Sequence, residues 1–176
     1  MGTSSPIWTR EEDGAITFSV TSKGITGPEF LERGDFFVGP DAGTILRSSA
    51  FEPTRNVTSR IKVFTVSAFS RQQWYPNAVR NYAYSQGLLA PRVEVGCLIA
   101  EMLNSNDLVA MDLSYIMTMH RPFIIESPGL SCGFPTVLSV GFDTHSDHHG
   151  DWLHGLFLNT NLPLFRSHGL AFEVPG

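Results

Sequence analysis

Three observations predict an α+β fold for this chain. Residues 15–20 and 57–69 alternate apolar and polar side chains with the period of a half-buried strand. Residues 26–34 and 91–103 instead carry helix start and stop residues around apolar positions at helical spacing. The two kinds of segment are mixed without the strand–helix–strand rhythm that builds a parallel sheet.

In chain order, Ala15 to Val20 form the first strand. Thr26 then caps a short helix with Pro28 and Glu29 in its first turn and Gly34 as its stop. Residues 36–38 read as a brief strand, and Asp41 as the cap of a second short helix whose Ile45, Leu46 and Phe51 turn inward. From residue 57 the pattern is extended again, with Ile61, Val63 and Thr65 on one face and Phe64 and Val66 on the other. Residues 76–89 and 91–103 are helical, the second presenting Val95, Leu98, Ile99 and Met102 along one stripe. Asn106 or Asp107 opens a further turn, and 115–123 form a strand. Strand-like pieces follow at 136–142, 152–158 and 170–174.

The chain has 176 residues, the size of one domain, and is expected to fold as one, without staples. Its apolar share of 42% against 16% charged marks a folded chain. Twelve basic residues, of which only Lys23 and Lys62 are lysines, stand against 17 acidic ones for a formal charge of −5. With no basic cluster, a nucleic-acid partner held by phosphate neutralisation is excluded. No apolar run reaches the length of a membrane span, and the first thirteen residues do not read as a signal peptide. Cys97 and Cys132 are too few for a disulfide framework or a thiolate zinc site and read as small buried hydrophobes.

Catalytic motifs are sparse. His145, Asp147, His148, His149 and His154 offer imidazole and carboxylate ligands for zinc or iron, and a metal-dependent hydrolase built on them is the alternative reading. Their spacing matches no ligand motif, however, and adjacent His148 and His149 diverge in an extended segment. A solvated loop explains them more simply. Gly-x-Ser-x-Gly and phosphate-binding glycine loops are missing. Ser131-Cys132-Gly133 is a turn by composition, and His120 in Met119-His120-Arg121-Pro122 reads as a hydrogen-bonded core or rim histidine rather than a general base. Neither a catalytic centre nor a cofactor is predicted.

A sharper feature lies near the C-terminus. Between Ser127 and Phe172 there is no Lys, Glu, Gln or Met, although Glu126 and Glu173 stand just outside, and five of the six histidines fall within this span. The genetic code supplies a cause. AAC or AAT codons whose adenines are replaced at random yield Asn, Asp, His, Ser, Leu and Phe among others, but never Lys, Glu, Gln, Met or Trp. Trp152 therefore needs another origin.

The runs Gly150-Asp151-Trp152-Leu153-His154-Gly155 and Phe165-Arg166-Ser167-His168-Gly169-Leu170-Ala171-Phe172-Glu173-Val174-Pro175 resemble the variable region of proteins diversified by diversity-generating retroelements. Upstream, residues 16–27, 46–54 and Met117-Thr118-Met119-His120 are similar to small members of that group. Leu170 stands where the family's ending usually has Phe, Phe165 where Trp is common, and Gly155 where Ala is common. The resemblance implies a C-type lectin fold of the formylglycine-generating-enzyme branch, with small antiparallel sheets and paired terminal strands, and a binding protein rather than an enzyme. Residues 143–172 would be its variable ligand-binding region. Display on a surface is implied as well, and since no export signal is visible in the sequence, virion and cytosolic locations stay open alternatives.

Within this reading, period-two alternation along 152–158 turns Leu153 and Gly155 inward and Trp152, His154 and Leu156 toward the ligand, with Phe157 at the strand end undecided. The expected ligand-facing set is His145, Asp147, His148, His149, Trp152, His154, Leu156, Phe157, Asn159, Asn161, Leu162, Leu164, Arg166 and His168. Trp152 and Phe157 are its aromatic anchors. An exposed patch containing Leu156, Leu158, Leu162 and Leu164 points to a protein or cell-surface target, or to self-association, rather than to a small sugar.

Overall fold

The C-terminal strand lies in the middle of the molecule, and the rest of the chain is arranged around it. The computed structural model describes residues 7–126, 133–143 and 150–176. Its strands are β1 (Thr9–Arg10), β2 (Ile16–Lys23), β3 (Phe37–Val38), β4 (Arg55–Thr65), β5 (Tyr115–Thr118), β6 (Phe123–Glu126), β7 (Gly133–Asp143), β8 (Gly150–Phe157) and β9 (His168–Val174). Its helices are α1 (Gly27–Arg33), α2 (Pro40–Leu46), α3 (Pro76–Ser85), α4 (Glu94–Met102) and α5 (Ser105–Ala110). The class is α+β, as the sequence predicts.

The nine strands among the described residues join one sheet in the order β1-β2-β4-β9-β5-β7-β8-β3, with β6 also on β7. This corrects the expectation of several small antiparallel sheets, since β5 runs parallel to β9 and β3 parallel to β8. It also corrects the expected pairing of the terminal strands. β2 and β9 share the sheet, but β4 stands between them and pairs antiparallel with both. The reason is visible in β4 itself. Ile61 and Val63 are buried on one face and Phe64 on the other, and a strand buried on both faces belongs in a sheet interior.

The sheet's two faces carry separate cores. Ile16, Phe18, Ile61, Val63, Ile116, Leu138, Val140, Leu153 and Ala171 pack against Phe30, Ile45, Leu46, Val95, Leu98, Ile99 and Leu108 from α1, α2, α4 and α5. On the opposite face Phe64, Met117, Val137, Leu170 and Phe172 pack under Val79 and Ala83 of α3 and under Leu158 and Leu164. Among the described residues no helix is long and apolar enough to cross a membrane.

Helix α1 starts and stops as its sequence dictates: Thr26 Oγ1 accepts from the Glu29 N–H, the Glu29 carboxylate accepts from the Thr26 N–H at 2.7 Å, and Gly34 takes φ +67°. For α2 the expected cap is corrected. Gly39 is the N-cap, Pro40 the first helical residue, and Asp41 lies in the first turn. Proline's fixed φ suits that first position, and the Gly39 N–H is already taken by the Leu153 carbonyl at 2.9 Å. Asn104 rather than Asn106 or Asp107 caps α5, its side-chain oxygen accepting from both of their N–H groups. Helix α3 ends at Ser85, ahead of Gly87 with φ +76°, and α4 begins only at Glu94.

The strand expected over 115–123 is two strands on one edge of β7. Met117 pairs with Ser139, so unbroken pairing would set His120 against Thr136; Phe123 holds that place, which leaves three extra residues. Side chains replace the lost ladder bonds: Thr118 Oγ1 donates to the Leu138 carbonyl at 2.8 Å, and the Leu138 N–H donates to His120 Nε2 at 2.9 Å. His120 is thus the hydrogen-bonded core histidine read from the sequence.

The α1 cap gives a direct check on this local reading. Thr26→Ala should lower unfolding free energy by about 1 kcal/mol in urea titrations. A variant as stable as the parent would show that tertiary packing alone sets the start of α1.

Candidate functional site

Strand β8 sorts its side chains by strict alternation. Leu153 is fully buried, and Gly155 lies so close to α2 that a Cβ there would meet Asp41 Cβ at 2.5 Å and the Ala42 backbone nitrogen at 3.0 Å. Backbone cannot yield as a side-chain tip can, so glycine is required at 155 for this approach. Trp152, His154 and Leu156 turn to the other face and are half-buried, Leu156 against the second core.

Across this second face runs a row of rings set by register. Phe37 pairs with Trp152, Trp152 with Gly141, Gly141 with Tyr115, and Tyr115 with His168. The row thus spans five strands, about 19 Å at the ordinary strand spacing. The Phe37 and Trp152 ring centroids are 4.1 Å apart, and the His154 ring stacks parallel to Trp152 at 5.0 Å. Tyr115 meets His154 edge-on at 6.2 Å and His168 at 5.8 Å, and His168 meets Phe165 at 5.2 Å. Gly141 makes the row continuous. A Cβ there would stand 2.2 Å from the Tyr115 ring, so the missing side chain lets the tyrosine lie across β7.

The connection from β8 to β9 mixes buried and exposed positions. Asn161, Leu162 and Arg166 are exposed as expected, Leu162 at 58%, and Phe165 is the most exposed large apolar side chain among the described residues at 71%. Asn159 closes a local turn, its side-chain oxygen accepting from the Asn161 N–H at 2.9 Å. Leu158 and Leu164 correct the expected surface patch. Both are buried in the second core, and the Leu164 N–H donates to the Trp74 carbonyl at 2.6 Å. Phe157 is corrected as a partner anchor to Trp152. It pairs with Thr136, rests edge-on against Phe134 at 4.8 Å, and lies on the opposite sheet face from Trp152.

Phe37, Tyr115 and Phe165 were absent from the expected set. Alternation between buried Phe36 and half-buried Val38, and between Tyr115 and buried Ile116, was the signal that turned the first two outward. Which strands neighbour β8 was not readable locally, so the two rings had no visible connection to Trp152.

Burial pushes the His168 imidazole below its ordinary value, and its Nδ1 has no hydrogen-bond partner. The buried Cys97 thiol is pushed upward by desolvation, which suits a packing role rather than a nucleophile. His145, Asp147, His148 and His149, together with Ser131 and Cys132, lie outside the described residues. Among the described residues no three His, Cys, Asp or Glu side chains are grouped to hold a metal ion. A cavity of about 540 Å³ lies away from the row, at Lys23, Arg33, Glu101 and Asp151, where Lys23 and Arg33 both pair with the Glu101 carboxylate at 2.9 and 2.7 Å.

No protein-family model matches the chain, and no curated protein or solved structure matches it.

The division between buried and exposed loop leucines is directly measurable. Leu164→Ala should cost about 3 kcal/mol of stability, as core truncations do, while Leu162→Ala should stay within about 0.5 kcal/mol. Equal losses at the two positions would contradict the placement of this loop.

Proposed function

We propose that this protein is a recognition module that binds a protein or cell-surface target through the sheet face bearing Phe37, Trp152, His154, Tyr115, His168 and Phe165. The observation that carries this reading is the ring row itself, with Phe165 and Phe37 exposed at its two ends. Aromatic and arginine side chains dominate binding energy at protein interfaces, and Arg166 follows Phe165 at the exposed end. The row lies across a sheet face rather than in an enclosed pocket, which suits a broad partner better than a small molecule.

The same reading explains the composition of residues 127–172. A surface diversified by adenine replacement needs a core that does not vary, because buried volume changes are costly and exposed ones are not. Leu153, Gly155, Leu158 and Leu164 supply the fixed positions, and Asn161, Leu162 and Arg166 the replaceable ones. A C-type-lectin-like arrangement belongs to this proposal, supported by the first and last described strands, β1 and β9, sharing one sheet and by the display of the final loop between two strands.

The DNA flanking the gene tests the proposal. A near-copy of the stretch encoding residues 143–172, differing only at template adenines and beside a reverse transcriptase gene, is the expected finding. A flanking region lacking both would overturn diversification. A stoichiometric zinc or iron in untagged protein, with ligands at about 2.0–2.2 Å, would overturn the binding role in favour of the hydrolase.

A further inference from the structure

His120 closes a gap in the sheet with a titratable ring. The three extra residues between β5 and β6 deprive the Leu138 N–H of a backbone acceptor, and Nε2 of His120 takes that place at 2.9 Å. The other nitrogen is committed too: with Nε2 accepting, the ring proton sits on Nδ1 and is donated to the Arg121 carbonyl at 2.7 Å. Both bonds exist together only in the neutral ring. The residue is 1% exposed, so no solvent shell is at hand to receive a displaced donor.

We propose that His120 is an acid-sensitive latch, in which a proton from solvent converts Nε2 from acceptor to donor, breaks the bond from Leu138 and releases the β5–β6 edge from β7. The charged surroundings favour release over accommodation. Arg80 of α3 acts on the ring with like charge, and its Nε and Nη2 are buried without hydrogen-bond partners. The cavity beside His120, about 260 Å³, is lined by Glu52, Arg92 and Arg121. The Arg92 guanidinium is held by Glu94 and Ser59 at 3.0 Å each. The ring's hydrogen bonds go to backbone at Leu138 and Arg121, so no carboxylate is bonded to the imidazolium.

Burial first, and then Arg80, hold the folded ring down to about 4 from its ordinary 6.5, against the opposing bond to the Arg121 carbonyl. A depressed folded value means that the opened state takes up a proton first as acid is added. The latch is therefore fully closed above pH 6.5, weakens roughly tenfold per pH unit below it, and saturates near the folded value. Strand β8, with Trp152 and His154, is carried on the other edge of β7, and Tyr115 of the ring row lies on β5 itself, paired with Gly141 of β7.

Amide hydrogen exchange of Leu138 in the intact chain, corrected for intrinsic exchange, reads the opening. Between pH 7 and pH 5 the opening equilibrium should rise about 20-fold. In His120→Gln, whose amide oxygen accepts but does not titrate, this rise should vanish. Should that variant fail to fold, NMR titration of the wild-type imidazole decides. A ring that stays neutral with its proton on Nδ1 at pH 5, and whose inflection moves up in Arg80→Met, supports the latch. A ring titrating near 6.5, or Leu138 exchange that is flat over this range, would overturn it.

Discussion

The structure depends on burying β9 along both faces and both edges. Leu170, Ala171 and Phe172 are fully buried, Ala171 in one core and Leu170 and Phe172 in the other, so a single strand completes both. Its edges are consumed by β4 and β5. Its end is clamped as well. Glu173 exchanges two backbone bonds with Leu89 at 2.9 Å, and its carboxylate accepts from Ser59 Oγ at 2.7 Å. Ser59 in turn accepts from Arg92, and Arg92 pairs with Glu94, a carboxylate only 3% exposed that also accepts from the Thr54 N–H. A buried charge of this kind stays in place because its partners are all present.

Fixing β9 determines what the preceding residues can do. The chain from 150 to 167 runs between β8, on the far side of β7 and β5, and the buried start of β9. Side chains of β8 that face α2 have no latitude, as the absence of room at Gly155 shows. Of those facing the other way, Trp152 and His154 stack on neighbouring rings and Leu156 reaches the second core, and the loop beyond them is anchored at Leu158 and Leu164 while Asn161, Leu162, Phe165 and Arg166 project outward. Recognition by exchangeable side chains needs this separation of supports from contacts, and antibody loops on their sandwich achieve it in a similar way.

Local physics made much of the fold legible. Thr26, Glu29 and Gly34 define α1 because a capping box and a left-handed stop are properties of neighbouring residues. The alternation along β4 and β8 likewise follows from the pleat. What was not legible depends on distant partners. Nothing near Asp41 reveals that the Leu153 carbonyl will fix Gly39 as the cap, and nothing near Phe123 reveals that β7 will demand a three-residue excursion. The ring row is the same case. Trp152 and His154 were readable as outward-facing, but their junction with Tyr115 rests on Gly141 across the sheet. Leu158 and Leu164 were misplaced because apolar residues in a Pro- and Asn-rich loop look exposed until α3 and Trp74 are brought against them.

A stability scan of every substitution across residues 150–174, read by protease resistance, tests the central claim most directly. The account predicts a two-residue period along β8, with Leu153 and Gly155 intolerant and Trp152 and His154 tolerant, followed by tolerance at Asn161, Leu162, Phe165 and Arg166. Losses at Trp152 and His154 as large as those at Leu153 would mean that the rings are structural, and would contradict a supported, exchangeable recognition face.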